Sequence, residues 1–223
     1  MMDNSAFESL KSPCFDNFYD THNMLTLWQS ALHDPAIVHC HIRGPKWSGK
    51  THILSSTLHI AHQEGQVAVW LTSDDFTSDK LLEKDYAQWF YLDDIDVLTP
   101  AQQSIFVAWM NQTIASGGKI FTTSGLQTDM LCNDVRSRLQ SSFIITLGYP
   151  DDDVAWAHVM RLFFLRHYIV IPDKIVRCIL DVTQGVAERI FPLMCELAHQ
   201  PRQLTFQRVH AIYRALQRDI ECS

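Results

Sequence analysis

The sequence predicts an α/β fold, a parallel sheet with helices on both faces, followed by a small all-helical domain. Three observations carry this reading. Apolar runs of strand length alternate with helix-period segments up to residue 149, and such alternation calls for parallel strands joined by helical crossovers. The stretch 44–51, GPKWSGKT, fits the phosphate-binding pattern G-x-x-x-x-G-K-[ST] between an apolar strand and a helix, which is the setting that pattern needs. After Tyr149-Pro150 no strand-like alternation recurs. The expected organisation is a flexible N-terminal arm over 1–13, an α/β nucleotide-binding domain over 14–149 and a helical domain over 150–223.

The elements follow in order. Leu25, Trp28 and Leu32 recur at helical spacing in 23–32, and AIVHCHI (36–42) is strand-like. KTHILSSTLHIAHQ (50–63) is helical and is stopped by Glu64-Gly65. VAVWL (67–71) is a second strand and 80–87 a short helix. WFYLDDIDVL (89–98) begins as a buried strand and ends in carboxylates. In 101–117, Ile105, Phe106, Trp109 and Met110 fall in helical register before Gly117-Gly118. KIFTTS (119–124) is a strand, NDVRSRL (133–139) a short helix and FIITL (143–147) a further strand. The remainder reads as helices over 151–167, 172–183, 185–199 and 205–220. Asp151–Asp153 put negative charge at the positive end of the first, and Pro172 suits the first turn of the second.

Composition narrows the function classes. The 223 residues are 47% hydrophobic and 19% charged, ordinary values for a globular chain with a sizeable core. A net charge of −7 argues against free nucleic acid as the main partner, because neutralising phosphates needs a basic face. None of the 6 cysteines forms a C-x-x-C pair, and no signal peptide or membrane-length apolar run is visible. Reduced thiols in a cytoplasm are expected. Among the 11 histidines, His39 and His41 share one strand face, and His59 and His62 are three apart on a helix. No further ligand joins either pair, so they are expected at the surface or in a polar layer rather than on a metal.

The chemistry centres on two motifs. In the loop Gly44, Pro45, Lys46, Trp47, Ser48, Gly49, Lys50 and Thr51, successive backbone amides and a helix N-terminus surround a phosphate. Lys50 is expected to reach the β- and γ-phosphates, and Thr51 to ligate Mg²⁺. Asp93 and Asp94 lie at the end of a buried strand. Asp93 is expected to hold Mg²⁺ through water, and Asp94 to orient or polarise an attacking water. The expected ligands are ATP or ADP with Mg²⁺.

FDNFY (15–19), GPKWSGKTHIL (44–54), WFYLDDIDVL (89–98), FTTSG (121–125) and VRSRL (135–139) occur in the order of the AAA+ core of the replication initiator DnaA. Over nearly its whole length the chain resembles the DnaA/Hda family of AAA+ proteins. Within that family it is most similar to the regulatory-inactivator branch, Hda, which lacks the DNA-binding domain. The sequence shows no helix-turn-helix region after the helical lid, and the connection from Leu71 to Trp89 is short. The resemblance implies an αβα core with a helical lid. It also implies an arginine finger at Arg138 acting across a subunit boundary, and a sensor 2 arginine at Arg189 in GVAERIF (185–191). The implied partner is the AAA+ domain of DnaA, whose bound ATP the protein would cause to be hydrolysed. A homo-oligomer is the other arrangement that a trans-acting finger allows. Phe15, Phe18 and Tyr19 are expected to pack against the sheet edge.

Two positions depart from the family. The acidic sensor 1 place falls on Gly125, with only Thr123 and Ser124 nearby as weak substitutes, so intrinsic hydrolysis is expected to be slow. The resemblance also brings in the DNA-loaded sliding clamp as a partner, but MMDNSAFESLKS (1–12) carries no clamp peptide. QLTF (203–206) has some of its letters, at the start of the last expected helix. The alternatives are an ATP-dependent loader or adaptor of DnaC/IstB type, or a non-catalytic DnaA-like docking module. A loader calls for a basic, aromatic track for single strands, and none is visible in the sequence.

Overall fold

The computed structural model describes residues 24–77, 88–199 and 204–221. The arm over 1–13, the aromatics Phe15, Phe18 and Tyr19, and the helix expected over 80–87 lie outside the described residues. The chain divides into two compact units, one ending at Gly148 and the other running on from Tyr149.

The first unit holds α1 (Met24–His33), β1 (His39–Arg43), α2 (Lys50–Gln63), β2 (Ala68–Leu71), β3 (Trp89–Leu92), α3 (Pro100–Ala115), β4 (Lys119–Ser124), α4 (Asn133–Gln140) and β5 (Phe143–Thr146). The strands form one parallel sheet in the order β2-β3-β4-β1-β5. β1 starts later than the apolar pattern suggests. The Asp34 carboxylate accepts from the Ala36 amide, and the Asp34 carbonyl accepts from Ile37. This Asx turn holds the apolar Ala36 and Ile37 out of the ladder. α3 starts one residue earlier than expected, because Thr99 and Gln102 form a capping box and Pro100 occupies the first turn.

Strand alternation gives each face its own core. On one face Phe121 stacks on Tyr91 at 4.7 Å between ring centroids and meets Trp28 of α1 edge-on. The buried Trp28 indole donates to Thr57 Oγ1 of α2 at 2.8 Å, so the helices are locked to each other as well as to the sheet. On the other face Phe90, Leu92 and Ile120 pack with Phe106, Met110, Val135 and Leu139 of α3 and α4. Burial of an apolar side chain of this size contributes about 1.5–3 kcal/mol.

His39 and His41 form a polar layer inside this second core. Thr122 Oγ1 lies 2.9 Å from His39 Nε2 and 2.8 Å from His41 Nδ1. His41 Nε2 lies 2.9 Å from Ser124 Oγ, whose own proton goes to the Gly125 carbonyl. A hydroxyl has one proton to give. The direction is therefore fixed for neutral rings: His39 donates to Thr122, Thr122 to His41, His41 to Ser124, and Ser124 to Gly125. Burial, reinforced by neighbouring His41, lowers the His39 pKa to about 3. Burial and then Arg43 lower that of His41 to about 4, against the opposing contact with Thr122.

The second unit contains α5 (Asp153–Arg166), α6 (Asp173–Thr183), α7 (Ala187–His199) and α8 (Phe206–Glu221). Its core gathers Met160, Phe164, Ile175, Ile179, Ile190, Leu193, Met194 and Val209. Asp152 caps α5 by accepting from the Ala155 amide at 2.8 Å, while Pro172 takes the N-cap of α6 rather than its first turn. Of the QLTF letters, Leu204 packs on this core and Phe206 is exposed at the start of α8. Among the described residues no helix is long and apolar enough to cross a membrane.

The buried histidines make stability pH-dependent. Their pKa values lie below the ordinary value of 6.5, so the unfolded chain takes up protons that the folded chain refuses. Their contribution is full above pH 6.5 and is lost as pH falls from there toward 4 and then 3. Urea unfolding between pH 7 and 4 is expected to show this fall, and His39→Gln with His41→Gln to flatten it.

Candidate functional site

The phosphate loop follows β1. Its backbone is specified at two glycines. A Cβ at Gly44 would come within 2.6 Å of Ser48 Oγ and 3.0 Å of the Leu147 carbonyl, so only hydrogen fits. Gly49, the N-cap of α2, adopts φ 92°, which L side chains avoid. Trp47 also takes a positive φ of 70°, and its indole carries the Lys46 ammonium 5.1 Å from the ring centroid. The first amides of α2 have no intrahelical acceptor and lie at the positive end of its dipole. The Ser48 hydroxyl is buried with no hydrogen-bond partner among the described residues. Lys50 folds back across the loop, donating to the carbonyls of Gly44 at 3.2 Å and Pro45 at 3.1 Å. A ring of amides with a buried ammonium at its centre fits a phosphate group.

The strand-end carboxylates meet this loop. Thr51 Oγ1 donates to Asp93 Oδ2 at 2.6 Å, and Thr123 Oγ1 donates to Asp93 Oδ1 at 2.5 Å. The same Thr123 hydroxyl accepts from the Asp94 amide at 2.8 Å. Asp94 sits in the left-handed region at φ 48° and ψ 63°, which turns the chain at the end of β3. Its carboxylate is 4.0 Å from Lys50 Nζ and half exposed to solvent. Burial, then the adjacent Asp93, raises the Asp94 pKa, while Lys50 opposes the rise. A raised pKa suits a group that takes a proton from water. Among the described residues no three His, Cys, Asp or Glu side chains gather into a metal cage. A hydroxyl beside one carboxylate suits a cation that keeps waters and takes phosphate oxygens, the habit of Mg²⁺.

Gly44 to Thr51, Asp93 and Asp94 are thus brought together at the C-terminal end of the sheet. Arg138 is not among them. It lines a cavity of about 150 Å³ with Val38, His39 and Phe143, where β1 and β5 begin. The phosphate loop leaves the far end of β1, four residues on, roughly 13 Å away at about 3.3 Å per residue. Arg138 Nε and Nη2 both donate to Asn111 Oδ1, at 3.1 and 2.7 Å, and Nη1 donates to the Asp134 carbonyl. Buried Gln103 fixes the approach to α4, donating to the Leu98 and Met130 carbonyls and accepting from the Cys132 amide. Neighbouring Arg136 is bonded to Asn133. Arg189 stands exposed on the first turn of α7, in the helical unit.

Of the two hydroxyls suggested as substitutes at the sensor 1 place, Ser124 faces the histidine layer and is committed there. Thr123 faces the carboxylates. Asp96 was not singled out by sequence, yet its carboxylate accepts from the Gly125 amide. Strand alternation separates Thr123 from Ser124, but nothing in the local sequence announces the turn that returns Asp96 to β4.

No protein-family model and no curated protein matches the chain. Solved structures match it by shape. Domain III of the replication initiation protein DnaA from Thermotoga maritima has a TM-score of 0.72 at 17% identity, over 89% of this chain and 94% of that one. The RuvB Holliday junction branch migration motor of Thermotoga maritima gives 0.64 at 15% identity, over 93% and 73%. The fold is AAA+. AMPPCP-bound DnaA from Aquifex aeolicus gives 0.62 at 17% identity, over 76% of this chain and 60% of that one. At these identities the likeness is one of fold.

Two outcomes are expected of this site. Lys50→Ala leaves the fold intact and weakens binding of a triphosphate nucleotide by roughly 100-fold, read by fluorescent-nucleotide titration, since a charge-assisted contact to each of two phosphates is lost. Thr123→Val keeps the shape but leaves the Asp94 amide without its acceptor, at a cost of about 1–3 kcal/mol in urea unfolding.

Proposed function

We propose that the chain is an ATP-binding AAA+ regulator of chromosomal replication initiation that docks on the AAA+ domain of DnaA and promotes hydrolysis of the ATP held there. The observation that carries this reading is the position of Arg138. Its guanidinium lies at the strand-start edge, on Asn111, at the other end of β1 from its own phosphate loop. A guanidinium that cannot serve its own loop is suited to serve a neighbour's. There it would add positive charge where negative charge develops on the transferring phosphoryl group, an effect worth about 10³–10⁵ in rate. Docking would exchange the Asn111 contact for that phosphate.

Within the chain, Gly44 to Thr51 hold the phosphates of ATP or ADP, Thr51 and Asp93 hold Mg²⁺, and Asp94 orients water. A Mg²⁺ held by Thr51 and Asp93 would supply positive charge to neutralise the nucleotide's phosphates. Arg189 is assigned to the chain's own nucleotide as sensor 2. The likeness to DnaA domain III and the AMPPCP named for the Aquifex protein support both the nucleotide and the choice of partner. The cytoplasm is the compartment that this role requires, and the DNA-loaded sliding clamp is a candidate second partner.

DnaA loaded with radiolabelled ATP is expected to form ADP faster when this protein is added. Arg138→Ala is expected to abolish the stimulation, and Arg138→Lys to restore little of it, because an ammonium lacks the planar fork. The assay is run with and without DNA-loaded clamp. If wild-type protein gives no stimulation in either arm, the proposal is lost and a loader acting on a helicase or single-stranded DNA takes its place.

A further inference from the structure

Gly125 poses a question that its backbone does not answer. It is absent from the glycines with positive φ, so nothing in its conformation demands glycine. The nearest atom to a Cβ built there is Asp96 Oδ2, at 3.2 Å, and the next are at 4.0 Å. The space beside residue 125 is therefore taken by the Asp96 carboxylate, and a side chain at 125 would compete with it.

The turn after β3 delivers that carboxylate. Asp94 in the left-handed region leads into a 3₁₀ turn over Ile95–Val97, with Ile95 buried as its anchor. Asp96 then reaches back to β4, where Oδ2 accepts the Gly125 amide. The other oxygen, Oδ1, is buried and has no hydrogen-bond partner among the described residues. Burial raises the Asp96 pKa, against the Gly125 hydrogen bond and the field of Lys50. The Gly44 amide donates to the Ser124 carbonyl at 3.2 Å, so Gly125 and the Asp96 carboxylate bonded to it lie at the same end of the sheet as the phosphate loop. One oxygen is thus committed to holding the residue in place, and the other is buried and left without a partner among the described residues.

We infer that Asp96 supplies, from the end of β3, the carboxylate that position 125 lacks at the end of β4, and that it acts as a positioning residue for the water attacking the γ-phosphate of the chain's own ATP. The inference rests on the reading of the loop as an ATP site and is independent of Arg138 and of DnaA. It accounts for the glycine at 125, for the amide that grips Oδ2 and for the acceptor left at Oδ1. It also replaces the expectation of a site with no carboxylate at this place. A carboxylate does stand at this place, delivered by the turn that follows β3.

The test is single-turnover hydrolysis of ATP bound to the full chain, with nucleotide affinity and urea unfolding measured beside it. Asp96→Asn keeps the shape and an acceptor for the Gly125 amide and removes the charge. It is expected to slow hydrolysis roughly 10- to 100-fold, the scale of a misplaced reacting group, with affinity within about threefold of wild type. Gly125→Asp alone is expected to slow hydrolysis as well, by crowding Asp96 with a like charge. The exchange Asp96→Gly with Gly125→Asp returns a carboxylate to the same space from β4 and is expected to recover most of the rate, which a purely structural role for Asp96 does not predict. Equal hydrolysis by wild type and Asp96→Asn, including none in either, overturns the inference while ATP still binds. Failure of wild-type protein to bind ATP removes the nucleotide reading beneath it, and the titration tells the two failures apart.

Discussion

The Thr123 hydroxyl joins the ends of two strands and, through Asp93, the first turn of α2. It gives its proton to Asp93 and receives one from the Asp94 amide, while the other oxygen of Asp93 receives the proton of Thr51. These contacts set the distance between β3, β4 and the phosphate loop. They hold Asp94 in a left-handed conformation that costs of order 1–3 kcal/mol in a residue other than glycine. That conformation in turn starts the turn that carries Asp96 back to β4. Remove the hydroxyl and the geometry of all three carboxylates loses its common reference.

The two faces of the sheet stiffen this arrangement differently. Beneath α1 and α2 the packing is aromatic, with a buried hydrogen bond from Trp28 to Thr57 to fix the register of the helices. Beneath α3 and α4 an ordered chain of donors runs from His39 to the Gly125 carbonyl. Gly125 is thus held at its carbonyl by the histidine layer and at its amide by Asp96. A fully satisfied buried network of this kind specifies one arrangement of strands, because each alternative leaves polar groups unpaired. Its direction depends on neutral rings, which burial supplies.

The Gly44–Thr51 loop and Arg138 are separated by the strands themselves. A parallel sheet puts every strand end on one edge and every strand start on the other. A loop after β1 and a helix leading into β5 therefore fall on opposite edges. One fold then carries the Gly44–Thr51 loop at one edge and the Arg138 guanidinium at the other. Asn111 on α3 keeps that guanidinium ordered, and Gln103 on the same helix ties down the segment that leads to α4.

The strands and helices were legible in the sequence wherever a period or a cap was strong. KIFTTS forms the strand Lys119–Ser124, and the helix over 50–63 has its expected bounds. Boundaries moved where a turn or cap competed, as Asp34 does before β1 and Thr99 does before α3. The phosphate loop was legible because its chemistry needs a contiguous pattern in one short stretch. The side-chain contacts of Asp96 with Gly125, of Thr123 with Asp93 and of Arg138 with Asn111 were not, since the partners lie 27 to 30 residues apart in the chain. The sequence by itself determined a parallel sheet, a glycine-bounded loop between strand and helix and a pair of strand-end acids, because those follow from local periodicity and local motif. The tertiary structure alone decided which hydroxyl faces the acids, which acid stands beside Gly125 and which edge bears Arg138, because these depend on strand order and on how chain-distant residues meet.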